Sequence, residues 1–171
     1  MKVVGLDLGG TKIAAGVFDG KRLLSKVVVP TPKEGGERVA EALAEAAERA
    51  EREAGVRGEA IGLGTPGPLD FRRGVIRFAP NIPGAQDFPI RRILEEATGR
   101  PVFLENDANA AALAEHHLGA AQGEESSLYL TVSTGIGGGV VLGGRVLRGE
   151  RGQGGELGHL TLVSGGPACG S

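Results

Sequence analysis

Short apolar runs separated by glycine punctuation dominate the beginning of the chain. Lys2 to Leu8 (KVVGLDL) is such a run, closed by an acid and a Gly-Gly pair, and it reads as a buried strand. After the turn Gly9-Gly10-Thr11, Lys12 to Phe18 predicts a second strand, Asp19-Gly20 a two-residue hairpin, and Arg22 to Val29 a third strand that Pro30 and Pro32 end. The period then changes from two to that of a helix. From Glu37 to Glu53, apolar Val39, Leu43, Ala46, Ala47 and Ala50 recur at three- and four-residue steps, with Glu and Arg on the other face and Gly55 as C-cap. Ala60 to Gly64 predicts a further strand, followed by the turn Thr65-Pro66-Gly67-Pro68.

Beyond it, Arg72-Arg73-Gly74 reads as a hairpin tip between two short strands, and Asn81 to Asp87 as a loop. Pro89 opens a helix reaching Thr98, and Pro101 to Leu104 is a strand. Asp107 to Leu118 predicts an amphipathic helix with Ala111, Leu113, Ala114 and Leu118 among its apolar positions. Ser126 to Val132 is a strand, a glycine turn around Gly135 leads into Gly139 to Leu142, and Gly143-Gly144 precedes Arg145 to Leu147. Gly149 to Ser171 reads as loop around one strand, Leu160 to Val163.

Shifting the chain by 124 residues lays Leu6–Leu23 on Leu130–Leu147 without a gap, with identities at Leu6/Leu130, Val17/Val141, Gly20/Gly144 and Leu23/Leu147. Two Gly-rich meanders can match this far by chance. The alternative is two homologous lobes, each with a glycine turn at its first hairpin, and two such turns facing each other would grip a polyphosphate from both sides. The division expected is a small lobe over 1–105 and the start of a larger one over 106–171. That larger lobe reads as incomplete, so an isolated 171-residue polypeptide is expected to be inactive.

Composition narrows the function classes. The net charge of −2 lacks the basic footprint of a nucleic-acid binder, and no apolar run reaches the ~18 residues of a membrane span. Met1-Lys2-Val3-Val4 enters a strand directly, without a signal peptide. The lone Cys169 excludes an internal disulfide and fits a reducing, cytoplasmic compartment. The 31 glycines sit in discrete clusters at strand ends, where missing side chains let a ligand approach the backbone.

Those clusters carry the candidate chemistry. Asp7-Leu8-Gly9-Gly10-Thr11-Lys12 joins an acid at a strand end to backbone N–H groups, a hydroxyl and an ammonium, all of which phosphate oxygens accept from. The acid suits Mg²⁺, which prefers oxygen ligands. The spacing matches neither the P-loop nor the Rossmann fingerprint, and by itself such a segment is more often just a tight turn. Its recurrence at Ser133-Thr134-Gly135-Ile136-Gly137-Gly138-Gly139 favours phosphate. Glu105-Asn106-Asp107 sits where a strand meets a helix, so Asp107 serves as N-cap, as general base, or as both. Glu156 and His159, three apart, together with the amides of Asn81 and Asn106, suit a hydroxyl-rich ligand such as a sugar. His116 and His117 receive no role. His159 and Cys169 are two potential zinc ligands, and two ligands do not make a site.

Taken together, Asp7–Lys12, Thr65-Pro66-Gly67, Pro80-Asn81, Glu105–Asn109, Ser133–Gly139 and Gly155–His159 resemble the ROK family, within the actin-like ATPase superfamily, over the whole of Met1–Ser171. The resemblance is greatest to its bacterial glucokinases. It implies an α/β, actin-like (ribonuclease H-like) fold of two lobes, each a β-meander plus helices. It also implies ATP-dependent phosphorylation of a hexose, glucose first, at the 6-hydroxyl. By position, Asp107 is then the base, and Gly67, Asn81, Asn106, Asp107, Glu156 and His159 hold sugar. Asp7, Gly9, Gly10, Thr11, Lys12, Thr134 and Gly135 bind the ATP phosphates and Mg²⁺. A homo-oligomer, dimer or tetramer, is also implied. Ser171 stands where many relatives have the second Cys of a Cys-x-Cys, which weighs against zinc. Family kinases for mannose, fructose or N-acetylmannosamine are alternatives, as is a sugar-sensing regulator. For the latter, the start of the first loop at Asp7 leaves no room ahead for a helix-turn-helix domain.

Overall fold

A computed structural model describes residues 1–79, 82, 84–132 and 135–166. The chain divides into two compact units, Met1–Asp107 and Ala108–Ser171.

In the first unit, β1 (Lys2–Leu8), β2 (Lys12–Asp19) and β3 (Arg22–Pro30) form the antiparallel meander that the alternation requires. Next come α1 (Gly36–Ala54), β4 (Ala60–Thr65), β5 (Leu69–Asp70), β6 (Val75–Phe78), β7 (Gln86–Phe88), α2 (Ile90–Thr98) and β8 (Val102–Asn106). The main sheet runs β3-β2-β1-β4-β8, with β4 and β8 parallel to β1, and β5-β6-β7 form a small second sheet. One face of the meander, Val4, Leu6, Leu8, Ile13, Ala15 and Val17, is buried together with Val39, Leu43, Ala46, Ala47 and Ala50 of α1. The helix ends at Gly55, whose φ of 67° is left-handed. Its last turns are tied to the start of β8 by the buried pair Glu51–Arg100. Glu51 also accepts from the Gly58 N–H at 2.6 Å, and Arg100 donates to the Gly58 carbonyl at 3.0 Å.

α3 (Asp107–Leu118) starts directly after β8 and carries the chain into the second unit, which holds β9 (Ser127–Val132), β10 (Ile136–Leu142) and β11 (Arg145–Val146) in the order β11-β10-β9, followed by a single 3-10 turn, Leu157–His159. The meander repeats the first one, but the gapless overlay fails at its turn. Leu8 pairs with Ile13 across four residues, whereas Val132 pairs with Ile136 across three. The offset is therefore 124 from β1 to β9 and 123 from there onward, with Arg22 corresponding to Arg145. Gly20 then corresponds to Gly143, and Val17 to Val140; the identities Val17/Val141, Gly20/Gly144 and Leu23/Leu147 are an artefact of omitting one gap.

Three further expectations change. Gln86 and Asp87 belong to β7, paired with β6, because Phe78 and Ile76 offer them an open strand edge. Residues 160–163 form no strand among the described residues; Leu160, Leu162 and Val163 are exposed, and a strand without a ladder partner has nothing to satisfy its backbone. In α3 the buried face is Ala108, Asn109, Ala112 and His116, while Ala114 and Leu118 are exposed. Glycine explains this choice of face. A Cβ on Gly139 would lie 2.6 Å from the Ala112 Cβ and 2.7 Å from the Ala108 carbonyl, so the helix lies on bare backbone of β10 that only a small-residue face can approach.

Candidate functional site

The parallel strands β1, β4 and β8 finish at the same end of their sheet. Asp7 is in register with Gly64, Gly64 with Glu105, and Thr65 with Asn106. Ligands of α/β sheets are received at the carboxyl ends of such strands, where loops diverge. Here that end collects Asp7, the Gly9–Lys12 turn, the Thr65–Gly67 turn, Asn106 and Asp107. Gly67 lies beside Asn106: a Cβ on it would sit 3.6 Å from the amide nitrogen of that side chain.

The electrostatics tie the two aspartates together. Loss of hydration pushes the Asp7 carboxyl above its ordinary value, the Asp107 carboxylate pushes it further, and the Lys12 ammonium pulls it back. The tip of Asp7 still reaches solvent. Two electrostatically coupled carboxylates beside a turn rich in N–H groups form a donor set that suits a hard divalent cation carrying phosphate oxygens and waters. Asp107 is also the first residue of α3, where an acid complements the helix dipole, so its N-terminal position and a role as base are compatible.

The turn itself is braced from the side. Gly9 N–H donates to the Lys12 carbonyl at 2.9 Å, and a Cβ on Gly9 would lie 3.0 Å from that same oxygen, a tight contact that glycine avoids. Two residues that sequence reasoning missed complete the brace. Thr31 Oγ1 donates to the Gly9 carbonyl at 2.7 Å and Lys33 Nζ to the Gly10 carbonyl at 2.6 Å. The available signal was the end of β3: pairing Lys12 with Pro30 delivers Thr31 to the turn.

In the second unit, Glu156 precedes the 3-10 turn and His159 is its last residue, both exposed, with the His159 N–H donating to the Glu156 carbonyl at 3.3 Å. This segment lies against β10. A Cβ on Gly158 would overlap the Ile136 carbonyl, and one on Gly138 would come within 2.8 Å of the Gly155 carbonyl. His116, assigned no role from sequence, is buried with its Nδ1 3.0 Å from Ser127 Oγ, linking α3 to the start of β9. Gly135, described at the head of β10, is exposed. Asn81, Thr134 and Cys169 lie outside the described residues. Among those described, no three His, Cys, Asp or Glu side chains converge as a metal site, so the residues described do not make a zinc centre. Also among them, no helix is long and apolar enough to cross a membrane.

Comparison with known proteins supplies the context. Residues 3–171 match the model of the ROK family. A curated glucokinase of Thermotoga maritima is 42% identical over 176 residues, covering 99% of this chain and 53% of the relative. The crystal structure of a ROK hexokinase from Thermus thermophilus is 97% identical with a TM-score of 0.92, over 99% of this chain and 56% of that one. That of a ROK family glucokinase from Streptomyces griseus in complex with glucose and AMPPNP is 41% identical with a TM-score of 0.87, over 95% and 51%. The chain spans about half the length of the curated relatives it matches.

Proposed function

This chain belongs to the ROK family and shares its actin-like ATPase fold, and on that premise we propose that the protein transfers the γ-phosphoryl group of ATP to a hexose, with glucose giving glucose 6-phosphate. The observation that carries the reading is the common end of β1, β4 and β8, where a phosphate-type turn and two interacting carboxylates meet.

The chemistry assigned to each residue follows from its atoms. Gly9, Gly10, Thr11 and Lys12 offer backbone N–H groups, a hydroxyl and an ammonium to the phosphates, with Thr134 and Gly135 as the second turn. Asn81, Asn106, Glu156, His159 and the Gly67 turn hold the sugar hydroxyls through paired donors and acceptors. Asp107 accepts the proton of the attacking 6-hydroxyl as its oxygen moves onto phosphorus, while the bond to the departing ADP oxygen breaks in line. Orientation and charge stabilisation supply most of the rate. Asp7, its hydration already reduced, would hold Mg²⁺, an ion that would neutralise phosphate charge. The reading includes a homo-oligomeric enzyme and, since ATP and the single cysteine of this sequence both suit a reducing compartment, a cytoplasmic one.

The test is coupled ADP release by the whole gene product over a panel of hexoses. Turnover is expected on glucose. Asp107→Asn should lower it by about 10²–10⁴-fold while glucose affinity survives. Near-normal turnover of that variant would overturn the assignment of the base, and turnover confined to N-acetylated sugars would move the substrate elsewhere in the family.

A further inference from the structure

The Gly9–Lys12 turn owes its shape to a segment outside it. β3 ends at Pro30 opposite Lys12, and the next residue, Thr31, is buried at 4% exposure. Its N–H donates to the Thr11 carbonyl at 3.0 Å and its hydroxyl to the Gly9 carbonyl at 2.7 Å; the ammonium of Lys33 holds the Gly10 carbonyl at 2.6 Å. Three consecutive carbonyls are thus drawn toward residues 31–33. In a planar trans peptide the C=O of one residue and the N–H of the next point in opposite directions. Fixing the carbonyls of Gly9, Gly10 and Thr11 therefore turns the amides of Gly10, Thr11 and Lys12 to the opposite side, as a set.

We propose that Thr31 is a positioning residue for phosphate binding: its hydroxyl locks the Gly9 carbonyl and thereby aims the following amides at the anionic group of the nucleotide. The inference rests on reading Gly9–Lys12 as the phosphate turn. Thr31 does not touch the nucleotide; it removes the conformational freedom that a Gly-Gly turn would otherwise lose on binding. Lys33, whose side chain is exposed to solvent, is the weaker brace. A buried threonine whose oxygen is spent on one backbone carbonyl is the part the turn depends on.

Thr31→Val keeps the shape and removes the hydroxyl, and Thr31→Ser keeps the hydroxyl. In the whole gene product, Thr31→Val should raise the Kd for a non-hydrolysable ATP analogue and the KM for ATP by about five- to tenfold. The KM for glucose should stay within about twofold, and Thr31→Ser should restore ATP binding to within about twofold of the parent. Thr31→Ala gives the same test if valine is not accommodated. An unchanged KM for ATP, a parallel rise in both KM values, or failure of serine to rescue would overturn the proposal. Gly10→Val separates it from its premise. If Gly10→Val leaves ATP affinity intact, the phosphate reading itself is wrong; if Gly10→Val abolishes binding while Thr31→Val does not affect it, only the brace is.

Discussion

The two meanders are built alike and buried differently. Leu6, Leu8 and Ile13 of the first correspond to Leu130, Val132 and Ile136 of the second, yet Leu6 is 4% exposed and Leu130 is 53%, Leu8 is 0% and Val132 is 78%. In the first unit α1 lies over this face. Among the described residues of the second, the 3-10 segment lies against the middle, where Leu157 meets Gly138. The same strand pattern is thus core in one unit and surface in the other. Periodicity encodes which residues share a face, and only the element packed on that face turns it into stability.

The largest consequence is a paired substitution in residues 1–171. Leu6→Ala should cost about 2–5 kcal/mol, as large-to-small changes in packed cores do. Leu130→Ala should cost under ~1 kcal/mol, because the side chain already meets water. Urea unfolding of both variants checks this, read by a probe local to each unit. Equal losses would mean that the second face is covered after all.

The opposite face reverses the order. Gly16 and Gly139 correspond, but the Cβ added at Gly139 meets the Ala112 Cβ and a backbone carbonyl below 2.8 Å, whereas at Gly16 the nearest atom is the movable end of Leu23 at 3.0 Å. Gly139→Ala should destabilise its unit by about 1–3 kcal/mol and Gly16→Ala by less. Thermal denaturation followed through Tyr129, the single tyrosine and a residue of β9, isolates the second unit. If Gly16→Ala proves the more damaging, the close seat of α3 on β10 is not what selects glycine there.

These pairs show what was legible in the chain. The alternation of Lys2–Phe18 and the spacing Val39–Leu43–Ala46–Ala50 specify strand and helix because each element there packs on one partner. α3 was misjudged for the converse reason. Its partner is a glycine backbone, so its buried face is set by smallness and includes Asn109 and His116, which no hydropathy pattern selects. The register of the second meander escaped as well, since one missing turn residue shifts a strand without altering its composition. Of the site, the acids and glycines stood out because their chemistry is local. Thr31 and Lys33 did not, for their function depends on a carbonyl more than 20 positions away, supplied only by the pairing of β2 with β3.

The smallest effect concerns a charged difference between equivalent positions, Asp7 in the first meander and Thr131 in the second. Burial and the Asp107 carboxylate raise the Asp7 pKa above its ordinary value near 3.8. The native state then holds the proton more tightly than the unfolded chain, so stability falls as pH rises from about 3.8 through the raised native value. The penalty is complete at neutral pH and absent where both states are protonated. Asp7→Asn should therefore stabilise the first unit at pH 7 and leave it unchanged near pH 3, modestly, because the tip of the side chain is solvated. Asp107→Asn should shift the carboxyl titration of Asp7 downward, as followed by ¹³C NMR. A loss at pH 7 would show that Asp7 is held by a favourable partner, and a gain constant across this range would show that its ionisation is not opposed at all; either way the pairing of these two acids as a cation seat would have to be abandoned.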